Sequence, residues 1–341
     1  MVQKPTTMKK VTIFRSAILA LLVCVGIAAC DKNSDVVPDE PETYTVKLGW
    51  AGEILDVSYE PLTRATNDDL YGIQVYSLPK SVEPEYDYDW NPYAYGLFDD
   101  PNNITISLAS GYKYKFVASM VKDGKNRLYK DSSGKYYNPF SATLDNKFYY
   151  DDSDQKMLLI GSGDAALIDS DNNLGYRKYI RPNLERFYGR LSNYIPGESN
   201  INAMIDMKRA SFGAKFVVGG KFAVGGKIEI QMDGAPKMEL ALTEDADQIS
   251  DIFTFNVIHT VWANNDYTED IAVNFKWIRA DGTEAPMGTH TITFKRNKTT
   301  IVKFNIEKDG NDESIGIEID ESESGAMPDG DEVIITDGQM Q

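Results

Sequence analysis

Cysteine and histidine are nearly missing from this chain, with two of each among 341 residues. Cys24 sits inside a short apolar run and Cys30 directly behind it, so nothing after residue 30 can form a disulfide. A chain without bridges is held together by core burial. His259 and His290 stand in no His-Glu-x-x-His spacing, and both fall in segments of strand character, where a paired strand histidine is the expected role. No Gly-x-Ser-x-Gly elbow is present to hold a serine nucleophile. Beyond the first thirty residues no apolar run reaches the ~18 residues that a membrane helix needs. Basic charge is also short: 35 Lys and Arg stand against 52 Asp and Glu, a net charge of −17. That balance argues against nucleic acid and anionic lipid surfaces as partners, and favours solubility at a surface.

The abundant carboxylates form no catalytic pattern. Asp99-Asp100 and Asp151-Asp152 are chain neighbours in polar loops, whereas a glycosidase needs two carboxylates ~5–9 Å apart across a cleft. Asp169-Ser170-Asp171-Asn172-Asn173 begins like a calcium loop. Its sixth position is Leu174 where glycine is needed, and its twelfth is Ile180 where a bidentate glutamate is needed. A solvated turn is the better reading. No metal, cofactor or enzymatic activity is expected.

The apolar run itself spans Ala17–Ile27, with Lys9, Lys10 and Arg15 before it and Ala28-Ala29-Cys30 after it. A basic start, a short apolar centre and small residues before a cut site make a signal peptide. The Ile-Ala-Ala-Cys box resembles the bacterial lipoprotein signal, which is cut before a cysteine whose thiol is acylated. The resemblance implies lipidation of Cys30, palmitate among the chains, and a lipid-anchored protein at the outer membrane or cell surface. The alternative is an ordinary signal peptide with Cys30 incidental. Two or more acyl chains, each buried CH₂ worth ~0.8 kcal/mol, hold a protein stably where one does not. Removing residues 1–29 takes four cations and no acid, so −17 becomes −21.

Tyrosine, phenylalanine, valine, isoleucine and threonine abound, and Gly, Asn and Asp clusters punctuate them at short intervals, which points to an all-β chain. Thr43–Trp50 alternates as a half-buried strand, with Ile54–Tyr59 as its hairpin partner. Leu70–Leu78 reads as a core strand, and Ile104–Leu108 with Tyr112–Lys122 as a hairpin around Ala109-Ser110-Gly111. Over Asn183–Tyr194 the apolar spacing suits a helix, but Gly189 lowers that reading, and strand or turn stays open. Phe212 and Phe216 are core positions of a later strand. Further strands follow at 10–15-residue spacing, with Asp281-Gly282 as a hairpin turn. That run is the signature of a β-sandwich. The division is 1–29 signal peptide, 30–42 acidic tether, 43–195 and 196–320 two tandem β-sandwiches joined at Ile195-Pro196-Gly197, and 321–341 an acidic spacer with a last strand at Glu332–Thr336.

Two stretches invite function. Tyr86, Tyr88, Trp90, Tyr93 and Tyr95 crowd a Pro-interrupted segment, where rings can stack on sugars or anchor a protein partner at low entropic cost. The plainer alternative is an edge strand with its rings on the sandwich. The other stretch is Glu60-Pro61-Leu62-Thr63-Arg64-Ala65. With Asp69-Leu70-Tyr71-Gly72-Ile73-Gln74-Val75-Tyr76, Arg186-Phe187-Tyr188-Gly189 and Met207-Lys208-Arg209-Ala210-Ser211-Phe212-Gly213-Ala214-Lys215-Phe216, it resembles the fimbrillin-type surface lipoproteins of anaerobic Gram-negative bacteria. The resemblance implies two transthyretin-like β-sandwiches and a structural or adhesive pilus subunit, tip or anchor. It also implies trimming by an Arg-specific protease, here at Arg64, and assembly with other fimbrial subunits by strand exchange. The alternative is a monomeric surface lipoprotein that captures glycan or host protein through the aromatic segment.

Overall fold

The structure, a computed structural model, describes residues 42–58, 68–150, 165–167, 177–220, 225–243, 248–309 and 312–322. They form an almost wholly β protein with sandwich-like packing. The first strands are β1 (Thr43–Gly52), β2 (Leu70–Pro79), β3 (Asn91–Phe98), β4 (Thr105–Ala109), β5 (Tyr112–Val121) and β6 (Tyr149–Tyr150). Then come β7 (Ala165–Leu167), β8 (Arg177–Tyr179), β9 (Arg186–Tyr194), β10 (Asn202–Arg209), β11 (Ser211–Gly220) and β12 (Lys227–Met232). The last are β13 (Met238–Ala241), β14 (Gln248–Thr254), β15 (Thr268–Ile278), β16 (Glu284–Lys295), β17 (Thr299–Asp309) and β18 (Asp312–Ser322). A short helix, α1 (Ile258–Ala263), follows β14.

Eight strands make one large sheet in the order β4-β1-β10-β9-β5-β2-β3-β6. It curls until its ends meet, for the Tyr93 hydroxyl on β3 donates to the Ser107 carbonyl on β4 at 2.8 Å. Ser107 N–H in turn donates to the Tyr150 hydroxyl at 3.3 Å. Val46, Leu48, Ile73, Val75, Ile106, Phe116, Phe187 and Ile205 fill the enclosed core. The two tyrosines give partners to the Ser107 backbone groups on the β4 edge, where a free edge is the usual liability of an open sheet.

Two pairings differ from expectation. Among the described residues 43–58 no hairpin forms: after Gly52 (φ +80°) the chain enters a 3₁₀ turn at Glu53–Ser58. β1 lies instead between β4, antiparallel, and β10, parallel, with Lys47 opposite Asn202 and Gly52 opposite Met207. β4 and β5 are both strands, yet they do not pair with each other, because β4 flanks β1 while β5 sits between β9 and β2. Lys113 and Lys115 of β5 are buried. Asn183–Tyr194 resolves as strand β9, and Gly189 shows why. A Cβ there would strike the Met207 sulfur and come within 2.6 Å of the Asp206 carbonyl, so only glycine lets β9 lie this close to β10.

The turn at Ile195–Asn200 joins two strands of this same sheet, β9 and β10, and the chain leaves the sheet at Ala210. The remaining strands form two four-stranded sheets, β14-β11-β17-β18 and β13-β12-β15-β16. Phenylalanines fill the space between them: Phe212 lies 4.6 Å from Phe294, and Phe275 5.2 Å from Phe304, ring centre to ring centre. Each such ring, fully buried, contributes about 1.5–3 kcal/mol. The Asp281-Gly282 turn closes the β15–β16 hairpin as expected, with Gly282 at φ +83°.

A polar clasp ties the two regions. The Glu53 carboxylate, just past β1, accepts two bonds from Arg296 at 2.7 and 2.9 Å and one from the Arg209 backbone N–H at 2.7 Å. Arg209 also reaches Glu185 at 3.0 Å and Asn297.

Candidate functional site

On the face of the large sheet away from its own core, three neighbouring strands present a patch of polar and aromatic side chains. β2 supplies Gln74 and Tyr76, β5 Lys115 and Val117, and β9 Tyr188 and Arg190. The pairing sets Tyr76 opposite Lys115, Gln74 opposite Val117, and Val117 opposite Arg190. The chain between β2 and β3 arches over the patch and adds Asp87, Tyr88 and Trp90, while His259 of α1 lines it from the second region. These residues enclose a cleft of about 390 Å³.

The electrostatics turn on Asp87. Arg190 grips its carboxylate with two bonds, at 2.9 and 2.5 Å, and Lys115 Nζ lies 3.6 Å away. The Arg190 bonds hold the Asp87 carboxyl below its usual value, although partial burial works the other way. Lys115 is 4% exposed, and its ammonium sits over the Tyr76 ring at 4.4 Å and near the Trp90 ring at 5.3 Å. Cation–π contacts of that kind are worth about 0.5–2 kcal/mol, more as water is excluded. Burial pulls the Lys115 ammonium below its ordinary value, with Asp87 opposing the shift. The Tyr76 and Tyr188 hydroxyls are pushed up to about 12, chiefly by burial, and stay protonated donors. Such a site holds cationic and hydrogen-bonding groups beside ring faces; it brings together no nucleophile and base.

Of the five aromatic residues expected to bind, the structure brings Tyr88 and Trp90 to this cleft. Tyr86 stacks on Tyr88, centroids 5.0 Å apart and planes 8° apart, beside it. Tyr93 turns to the other face, where it meets Tyr114 at 5.1 Å and Tyr150 at 5.5 Å. Tyr95 stacks on Tyr149 at 5.6 Å. The segment thus divides: Asp87–Asp89 is a 3₁₀ turn over the cleft, and β3 is a strand next to the short edge strand β6. Cys30 and Arg64 lie outside the described residues, as do the tail at Glu332–Thr336 and Asp169–Asn173. His290 is in β16 as expected, with Nε2 3.0 Å from the Met287 carbonyl. His259 is not in a strand: β14 ends at Thr254, and His259 is an exposed residue of α1.

The sequence reading missed Tyr76, Lys115, Tyr188 and Arg190. The available signal was polar residues at alternate positions of otherwise apolar strands, Gln74 in β2 and Lys113 and Lys115 in β5. Such positions need partners once buried.

No protein family and no curated protein matches the sequence. Solved structures resemble the fold at low sequence identity. A candidate adhesin from Bacteroides thetaiotaomicron is 10% identical with a TM-score of 0.35, over 86% of this chain and 99% of its own. A candidate polysaccharide-binding protein from the same species is 10% identical with a TM-score of 0.38, over 86% and 98%. A tip fimbrial protein from Porphyromonas gingivalis, solved with a C-terminal truncation, is 11% identical with a TM-score of 0.29, over 81% and 97%. Among the described residues no helix is long and apolar enough to cross a membrane.

Proposed function

We propose that this chain is a lipid-anchored surface protein of fimbrillin type, an adhesive pilus subunit, tip or anchor, whose first strand is exchangeable. The observation that carries the reading is the place of β1. It enters between β4 and β10, its Val46 and Leu48 are buried in the core, and only the Glu53 clasp and the 3₁₀ turn follow before residue 59. Arg64 stands six residues beyond that turn and offers a trypsin-like protease its one cation between Lys47 and Lys80. Cutting there separates β1 and the acyl anchor at Cys30 from the rest of the chain. Loss of β1 exposes backbone groups on two strands and an apolar groove, which is costly in water. A strand from another subunit refills it by strand addition, with Glu332–Thr336 as donor.

The test treats purified protein with an Arg-specific protease and follows size by light scattering. Cleavage after Arg64 with growth into oligomers, abolished by deleting residues 332–341, supports the reading. Clean cleavage that leaves a stable monomer overturns it.

A second reading, capture of a ligand through the aromatic segment, is favoured by one observation: Tyr88 and Trp90 line a formed cleft with charged groups inside it.

A further inference from the structure

The cleft combines two properties. Exposed rings stand at its opening: Tyr86 and Tyr88 are stacked on each other and 50% and 78% exposed, whereas Trp90 and Tyr188, which line it, are buried. Aromatic side chains give large contact area at low entropic cost, and flat faces suit the C–H faces of a sugar ring. Its charge is the second property. Lys115 and Arg190 bring two cations against one carboxylate, Asp87, in a chain whose net charge is −17. Asp87 is already engaged by both bonds from Arg190, and Lys115 keeps a cation in a setting that is 4% exposed. A buried cation whose charge is incompletely matched costs free energy that an arriving anion recovers.

We propose that this cleft binds a glycan through a pyranose that bears a carboxylate, a uronic or sialic acid residue, with its ring against the exposed Tyr88 and its carboxylate at Lys115 and Arg190. The proposal rests on the reading of the aromatic segment as a binding surface and holds whether or not the chain polymerises. A neutral sugar uses the rings and leaves the excess cation unmatched. An acidic peptide uses the cations and leaves the rings idle. An acidic sugar engages both.

The test is calorimetric titration of the full chain with sialyllactose, tetragalacturonate and a glucuronate oligosaccharide. Lactose and methyl-esterified tetragalacturonate serve as neutral partners, and tetraglutamate as the peptide control. At least one acidic saccharide binds, and removing its carboxylate weakens it about tenfold or more, the worth of a charged hydrogen bond. Arg190→Gln weakens the acidic sugar by a similar factor and the neutral one by less. Tyr88→Ala, at an exposed position that folding does not need, weakens both. Circular dichroism confirms that each variant is folded. Equal binding of acidic and neutral sugars overturns the carboxylate claim while leaving the cleft a sugar site. Tetraglutamate binding as tightly as the saccharides overturns the claim that the ligand is a glycan. No binding by any saccharide overturns the binding reading itself.

Discussion

Around Phe216 the interior is ring against ring. Phe216, Phe275 and Phe304 converge from three strands of two sheets, and Phe212 packs on Phe253, Phe255 and Phe294. The large sheet is built differently. There the buried aromatics include Tyr71, Tyr114 and Tyr194 in the enclosed core and Tyr188 on the other face, where buried Gln74, Lys113, Lys115 and Ser119 also lie. Nineteen of the chain's twenty tyrosines precede residue 200, while eight of its fourteen phenylalanines follow residue 210. A phenylalanine interior needs no partners and no geometry beyond packing. A tyrosine and lysine interior needs a partner for every hydroxyl and ammonium, and those partners fix where polar groups point. The cleft belongs to the second kind of interior, and the first kind serves as its support. Arg209 at the end of β10 and Arg296 of the later region, both buried, meet on Glu53 where the two regions join.

The largest effect that sharpens this contrast is a truncation in the ring-packed interior. Phe275→Ala removes a fully buried ring that touches Phe216 and Phe304, and is expected to cost about 3–5 kcal/mol in denaturant unfolding. A cost below about 1 kcal/mol, the level of an ordinary substitution, means that the later region is loosely packed and not a support. Glu53→Gln comes next. It leaves Arg296, 5% exposed, with its charge unmatched, but Glu53 itself is 25% exposed, so the cost falls below the ~3–5 kcal/mol of a fully buried pair, at about 1–3 kcal/mol. Glu53→Gln behaving like wild type breaks the claim that the clasp couples the regions.

The smallest effect is one of pH. Arg190 holds the Asp87 carboxyl below its unfolded value, so the pair's contribution is fully present above about pH 4 and fades as the pH falls through the lower, folded value. Following the carboxyl resonance of Asp87 by nuclear magnetic resonance, Arg190→Gln is expected to move its titration upward toward that of an ordinary aspartate. A titration that does not move denies the pair its part in shaping the cleft.

Much of this was legible in sequence. The strands around Phe212 and Phe216, the Asp281-Gly282 hairpin and the inward run Tyr114, Phe116, Ala118 follow from period-two alternation and turn chemistry, which are local. Pairing was not legible where it is non-local. β1 finds β10 about 155 residues away, and nothing near Ile54–Tyr59 announces that the expected hairpin partner is a 3₁₀ turn. The cleft was half legible for the same reason. Tyr88 and Trp90 stand out in a crowded aromatic stretch, whereas Lys115 and Arg190 look like solvated strand residues until β2, β5 and β9 come side by side.

The most direct test of the exchangeable first strand is amide hydrogen exchange read by mass spectrometry, before and after cleavage at Arg64 by an Arg-specific protease. The account predicts that Asn202–Met207 of β10 and the amides of β4 lose protection after cleavage, while β11, β15 and β17 keep theirs. Unchanged protection over β10 and β4, with Arg64 fully cut, would contradict it.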